Sequence, residues 1–397
     1  MIDSIQSLKR SLELPCGAIL KNRLAKSPMS DSLGDGEGDP TEAQVRLYER
    51  WAEGGVALSI IGEVQGDPRF PEKPGNLVLG AHSNDRFLQL LTSRAGVNGS
   101  HLWPQIGHAG ALSHPPISKP KGPSPLDVEG LQCAGMTIEE IHELPAMYMN
   151  TALHARAVGF SGVLIHAGHG FLLSQFLSPL FNHRTDGYGG SIEARSRIIL
   201  EIISEVRRAV GPSYPIGIRI NSSDQLEGGL TEADALVLVR LLDKTSIDLI
   251  DISGGTYFPG AKAASDGRSK GAYFLHFAKV ARELTNLPLM VTGGFKKRQE
   301  VIDAVAGGEV DMVGLGRAMI LDPRLSNRWL NEEACDPEFP RFESTPPGGI
   351  TAWYTMRLTA LGENRENEFD LDLPTAVQVY EERDAQRCNR WQMKFST

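Results

Sequence analysis

Short apolar runs rich in β-branched residues alternate along this chain with longer amphipathic stretches, and that alternation predicts parallel strands joined by crossover helices. Eight runs carry the strand pattern: RLAKS from Arg23, VALSIIG from Val56, HLWPQIG from His101, GVLIHAG from Gly162, IGIRIN from Ile216, LIDISGG from Leu249, LPLMVTGG from Leu287 and DMVGLGR from Asp311. Between them, TEAQVRLYERWAE and SIEARSRIILEIISEVRRAV predict helices with Thr41 and Ser191 as N-caps. Eight strand-then-helix units predict an α/β protein, a closed (β/α)8 TIM barrel. The alternative, an open doubly wound sheet, normally carries a glycine fingerprint at its first strand-to-helix turn, and none stands there. Gly34, Gly36 and Gly38 do form a GxGxG, but inside the acidic stretch DGEGDP with no strand directly before it and no helix directly after. They read as a flexible loop.

Two stretches exceed a bare barrel. The Pro/Gly/Ser-rich segment from Ser113 to Gly135 is expected to be a structureless insertion capping the mouth, since long loops in compact domains usually serve function or are disordered. The tail beyond about Asn331 turns helical around TAWYTMRLTALGE from Thr351. The expectation is one domain over residues 1–397, with the barrel at about 20–330 and a C-terminal extension at about 331–397.

Composition narrows the function classes. Hydrophobic residues make up 41% and charged residues 22%, an ordinary globular balance, and the formal net charge of -9 disfavours nucleic acid or an anionic membrane as partner. Cys16, Cys133, Cys335 and Cys388 lie far apart without a CxxC, so no zinc or iron–sulfur signature is present and no metal is expected. The N-terminal stretch lacks the apolar run of a signal peptide, and nothing approaches the roughly 20 apolar residues of a membrane span. A cytoplasmic protein, with homo-oligomerisation left open, is the expectation.

In such a barrel the chemistry sits at the C-terminal ends of the strands. Ser30, Glu63 and Gln105 follow or end the first three runs, His166 and His169 end the fourth, and Arg219 lies in the fifth. Gly254 and Gly255 end the sixth, Gly293 and Gly294 the seventh, and Gly316 with Arg317 the eighth. Glycines after the last two strands let backbone N–H groups approach a phosphate, with Arg317 adding a charge-assisted contact; tight turns plus a surface arginine are the plainer reading. His166 and His169, three apart at a strand end, could both face the mouth. Three roles stay open for them: metal ligands, satisfied structural histidines, or a donor pair that holds a carbonyl or phenolate oxygen. Gln105 and Arg219 on neighbouring strands suit the polar edge of a cofactor such as an isoalloxazine; an internal salt bridge within the barrel is the competing account.

These residues resemble the old yellow enzyme family over nearly the whole chain, from about Leu20 to Leu330. KNRLAKSPMS, QIGHAG and above all GFSGVLIHAGHGFLLSQFLSPLFNHRTDGYGGSIEARSR carry the resemblance, with RIN..DQLEGGLT, LIDISGG, VTGGF and VGLGRA as further matches. It implies FMN held by Pro28, Met29 and Ser30 at the flavin edge, by the Glu63 backbone, and by Gln105, Arg219, Gly293, Gly294, Gly316 and Arg317. It also implies NADH or NADPH as reductant and a histidine pair that holds the substrate oxygen. The substrate it suggests is a small electron-poor alkene, or a phenol as ligand, and the activity is that of an ene-reductase.

Three departures stand out. Relatives place a proton-donating tyrosine two residues after the second histidine, whereas this chain has Phe171, which cannot donate a proton. QIGHAG continues with Ala111 where many relatives carry arginine. The cysteine cluster and second nucleotide-binding domain of the dienoyl-CoA reductases are missing, which excludes that class. Tyr257 is the first substitute for the lost donor, Tyr188 reads as structural, and Tyr354 reaches the mouth only if the tail folds back or comes from a neighbouring subunit. Alongside the ene-reductase stand flavin-dependent dehydrogenation or redox-neutral isomerisation, and a flavin-loaded binding protein with little turnover.

Overall fold

A computed structural model describes residues 5–261, 271–333, 336–343 and 345–395. All eight predicted strands form: β1 (Leu24–Lys26), β2 (Leu58–Gln65), β3 (His101–Gly107), β4 (Val163–Ala167), β5 (Ile216–Asn221), β6 (Leu249–Ser253), β7 (Leu289–Thr292) and β8 (Met312–Leu315). Each pairs in parallel with its neighbour in sequence, and β8 pairs with β1, so the sheet closes on itself. Helices follow the strands on the outside, among them α1 (Glu42–Glu53), α2 (Asp85–Ala95), α3 (Ile138–Ala157), α4 (Ile192–Val210), α5 (Glu232–Leu242), α6 (Leu275–Arg282), α7 (Arg298–Ala306) and α8 (Arg317–Leu321). The chain is a (β/α)8 barrel. The Thr41 and Ser191 side chains accept from the backbone N–H groups of Gln44 and Ala194, so both N-caps stand where the sequence puts them.

Strand register explains how the barrel carries a site. Inward positions at the lower level are apolar, with Leu58, Trp103, Leu164, Leu249, Met290 and Met312 packed into one cluster. Because side chains alternate across a strand, two residues further along the inward positions recur. There they turn polar: Gln105, His166, Arg219, Asp251 and Thr292. His166, Arg219 and Asp251 are direct register partners across β4, β5 and β6. A sealed apolar floor thus lies beneath a ring of polar groups at the C-terminal end. Gly217 makes room for the floor, since a Cβ there would come within 3.2 Å of the Trp103 ring.

The insertion is more ordered than its composition suggests. Residues Lys121–Gly122, Leu126–Val128 and Leu131–Gly135 form short strands. Leu126, Leu131 and Cys133 pack with Phe181 and Phe258, which come from the segments after β4 and β6 and so stand at the mouth side of the barrel. Cys16, Cys133 and Cys388 are free thiols, and Cys335 lies outside the described residues.

The tail forms α9 (Leu325–Leu330), α10 (Gly349–Gly362), which is the helix expected around Thr351, and a 23-residue helix α11 (Leu373–Phe395) that the pattern did not announce. Only Leu373, Ala376, Asp384 and Trp391 of α11 are buried, too few for a clear apolar stripe. This helix also corrects the reading of the GxGxG stretch. Arg387 and Arg390 donate to the carbonyls of Ser32 and Asp35, and a Cβ on Gly36 would lie 3.0 Å from the Arg387 side chain. The loop is packed under α11, and its glycines serve close approach.

Candidate active site

A cavity of about 340 Å³ opens at the C-terminal end of the barrel. On one side Gly293 (φ 131°) and Gly294 (φ 86°) follow β7, and Gly316 precedes α8. A Cβ on Gly294 would fall 1.9 Å from the Gly271 carbonyl oxygen, so only glycine fits this turn. Arg317 stands beside them with its guanidinium 5.7 Å from the centre of the Tyr354 ring. Among the described residues no carboxylate pairs with it. Tyr354 arrives because the tail of the same chain folds back and lays α10 along the cavity.

The second wall is the segment from Ser27 to Ser30. A Cβ on Gly62 would sit 2.3 Å from the Met29 carbonyl, so the close approach of Pro28–Met29–Ser30 to β2 depends on that glycine. Here β2 carries a bulge between Ile61 and Val64, and Glu63 takes φ 53°. The bulge re-aims Glu63. The carboxylate points into the barrel, where Oε1 accepts from Gln105 Nε2 at 2.8 Å and lies 2.9 Å from His166 Nδ1, off the axis of a good hydrogen bond. The resemblance implied only a backbone role for Glu63, and this side-chain link went unseen. Burial raises its pKa to about 8, against the opposing pull of Arg219 and the Gln105 hydrogen bond.

Arg219 has an internal partner. Its Nε lies 3.0 Å from Asp251 Oδ2, again off the ideal hydrogen-bond axis, while Asp251 Oδ1 accepts from Thr292 Oγ1 at 2.9 Å. Burial lifts Asp251 to about 6, and Arg219 and the Thr292 hydroxyl hold it from rising further. The internal salt bridge is therefore real, yet Arg219 still lines the cavity. Asp251 was missed, although a lone acid inside LIDIS at the level of Arg219 was the available signal.

The two histidines do not both face the mouth. His169 lines the cavity, while His166 lies behind it, with Nε2 3.1 Å from His169 Nδ1. His169 Nε2 in turn lies 2.9 Å from Ser253 Oγ, and its backbone N–H donates to Asn221 Oδ1. A chain runs Glu63, His166, His169, Ser253. Burial first and the Arg219 charge second hold both imidazoles well below the usual histidine range, so both are neutral. Although Glu63 adjoins His166, no group of three or more His, Cys, Asp or Glu side chains among the described residues is arranged to hold a metal ion.

Phe171 packs between His166 and Tyr257, with ring centres 5.0 and 5.8 Å away. Tyr257 is 61% exposed at the rim. Tyr188 lies elsewhere, donating to Glu201 on α4 at 3.0 Å, in keeping with a structural role. Glu72, from the loop after β2, also lines the cavity and was not singled out from sequence.

These residues suit FMN. The buried Gln105 Oε1 has no partner, as an acceptor awaiting a ring N–H would have none. Arg219 faces the same space, and the glycine corner with Arg317 has the room and the charge that a phosphate would need.

The match to known proteins follows the same geometry. Residues 16–334 fit the model of the NADH:flavin oxidoreductase / NADH oxidase family. An NADH-dependent flavin oxidoreductase, iliE, of Hypocrea jecorina is 31% identical over 392 residues, covering 90% of this chain and 97% of the relative. The NADPH dehydrogenase of Bacillus subtilis is 30% identical over 324 residues, covering 80% and 94%. Among solved structures, a 2-naphthoyl-CoA reductase bound to 2-naphthoyl-CoA superposes with a TM-score of 0.76 at 26% identity, over 82% of this chain and 52% of that one. Morphinone reductase, at 24% identity and a TM-score of 0.72 over 83% and 91%, shares the fold. The chain belongs to the NADH:flavin oxidoreductase / NADH oxidase family, that of old yellow enzyme, and is an NAD(P)H-dependent FMN oxidoreductase.

Proposed function

We propose that this enzyme is an ene-reductase that takes hydride from NADH or NADPH and delivers it to the activated C=C bond of an α,β-unsaturated carbonyl compound. The observation that carries this reading is the two-sided cavity: a glycine corner with Arg317 on one side, and a wall of His169, Phe171 and Tyr257 on the other. Bound FMN supplies the two-electron relay between nicotinamide and alkene. Pro28, Met29 and Ser30 border the ring system, Gln105 and Arg219 meet its pyrimidine edge, and Gly293, Gly294, Gly316 and Arg317 hold the phosphate. His169, oriented by His166, donates to the substrate oxygen and stabilises charge developing there. Each neutral imidazole carries one N–H, and with His169 Nδ1 facing His166 the substrate oxygen takes the His169 Nε2–H in place of Ser253 Oγ. Tyr354 and its neighbours on α10 close the phosphate end, which makes barrel and tail one working unit.

The deciding experiment is anaerobic. FMN-loaded protein is reduced with NADH or NADPH, mixed with cyclohexenone, and the product identified. Return of the oxidised flavin spectrum with formation of cyclohexanone supports the reading. Reduced protein that reoxidises with oxygen but with no enone overturns it.

A further inference from the structure

Adding hydride to the β-carbon of an enone pushes the alkene electron pair toward the carbonyl oxygen, and the reaction ends only when the α-carbon gains a proton. Overall, enone, NAD(P)H and one H⁺ become saturated ketone and NAD(P)⁺. Phe171 has no proton to give.

Among the groups on the cavity wall, we infer that Glu72 is the proton donor: its carboxylic acid protonates the α-carbon, is left as a carboxylate, and regains its proton from solvent. This assignment rests on the ene-reductase reading. Glu72 lines the cavity together with His169, Phe171 and Tyr257, and its Oε2 is buried without a hydrogen-bond partner. A rigid turn presents it, because Asn76 Oδ1 accepts from the backbone N–H groups of both Glu72 and Lys73 at 3.0 Å. Carboxylates in water are ionised at neutral pH, but Glu72 is only partly exposed and its Oε2 is shut off from solvent. Burial first and the neighbouring Glu63 second raise its pKa to about 7, against the pull of Lys73, Ser30 and Asn76. Tyr257 and Tyr380 also feel its charge, and Lys73 is itself 3.7 Å from Asp384 of α11. A general acid works best with a pKa near the working pH, which favours Glu72 over the phenols and hydroxyls around it, while Glu63, raised to about 8, is held by Gln105 against His166.

The test separates the two half-reactions in rapid mixing. In the parent, reoxidation by cyclohexenone should slow as pH rises through about 7, where Glu72 loses its proton. Reoxidation by nitrostyrene should stay flat, because the nitronate left after hydride addition leaves without enzymatic protonation. Glu72→Gln should slow the enone step roughly 10²–10⁴-fold, abolish its pH dependence and leave the nitroalkene step near parental. Adding Phe171→Tyr to Glu72→Gln should restore enone reduction by placing a phenol across the cavity. Independently of turnover, a protonated-carboxyl C=O stretch that titrates near pH 7 should vanish from the infrared spectrum of Glu72→Gln.

Enone reduction in Glu72→Gln at the parental rate overturns the assignment, and so does loss only in Tyr257→Phe. Equal slowing of enone and nitroalkene shows a structural role and overturns it too. A parent that no enone reoxidises sinks the ene-reductase reading itself, and this assignment with it.

Discussion

Arg219 Nε and Asp251 Oδ2 lie 3.0 Å apart in the barrel interior, on side chains that are 2% and 0% exposed. They are register partners on β5 and β6, so their contact follows from strand pairing alone. Breaking a buried pair by removing one partner typically costs ~3–5 kcal/mol, whereas replacing both with apolar groups of similar volume is often neutral. Asp251→Ala should therefore destabilise the FMN-free protein by about that much in urea unfolding, and Arg219→Met with Asp251→Leu should recover most of the loss. The double variant should still bind FMN poorly, because Arg219 also faces the cavity. If it binds FMN at parental affinity, Arg219 serves only the fold.

The fold was legible because a barrel repeats its signal. Most of the strands are short apolar runs with an amphipathic helix before the next one, and eight repetitions leave little room for another topology. Residue type at a strand end was enough to mark cavity-lining positions such as Gly293, Gly294 and Arg317. What stayed hidden depends on direction. A bulge turns Glu63 inward, a left-handed His169 (φ 60°) separates its ring from that of His166, and no spacing rule encodes either. Glu72 sits in FPEKPG, where a Glu–Lys pair between prolines looks like solvent-facing loop. The helix α11 was invisible for the opposite reason, being mostly exposed and so nearly without an apolar stripe.

Glu63 ties stability to pH. Its pKa rises from 4.5 to about 8 on folding, so the folded chain holds this proton more tightly than the unfolded one. That contribution is fully present below the unfolded value and is lost as pH rises toward the folded value, after which it stays constant. FMN-free protein should lose stability between about pH 5 and pH 8, with a limit of ~1.4 kcal/mol per pH unit for one proton. Glu72, raised to about 7, and Asp251, raised to about 6, titrate within the same window, so Glu63→Gln should remove one proton's share of the slope. An unchanged slope in Glu63→Gln, measured by urea unfolding across that range, would falsify the assignment.

Arg317 is the charged member of the glycine corner, and Tyr354 packs against its guanidinium. Removing a charge-assisted bond to a phosphate costs ~1.5–3 kcal/mol, so Arg317→Ala should weaken FMN binding roughly 10–150-fold. Tyr354→Ala should weaken it less, since the tyrosine steers the arginine rather than carrying charge. Flavin released on dilution, followed by its fluorescence, reads both. Parental retention in Arg317→Ala would place the phosphate elsewhere.

The histidine chain predicts unequal partners. A para-substituted phenol should bind above the flavin as its phenolate and give a long-wavelength band, because the oxygen can accept a hydrogen bond from the cavity wall. Only His169 lines that wall, while His166 stands behind it at 3.1 Å from His169 Nδ1. His169→Ala removes the donor itself and should weaken phenol binding by ~1.5–3 kcal/mol, or roughly 10–150-fold. His166→Ala leaves that donor in place but frees the ring to reorient, so its loss should be smaller, and the double variant should abolish the band. Because both imidazoles sit well below the usual histidine range, neither gains charge near neutral pH. The pH dependence of the band should then follow the ionisation of the phenol, moving with its pKa across a series of substituents. Equal losses in the two single variants would mean that both rings reach the ligand. A band whose midpoint ignores the phenol and stays near pH 6 to 7 would mean that a charged histidine holds the anion.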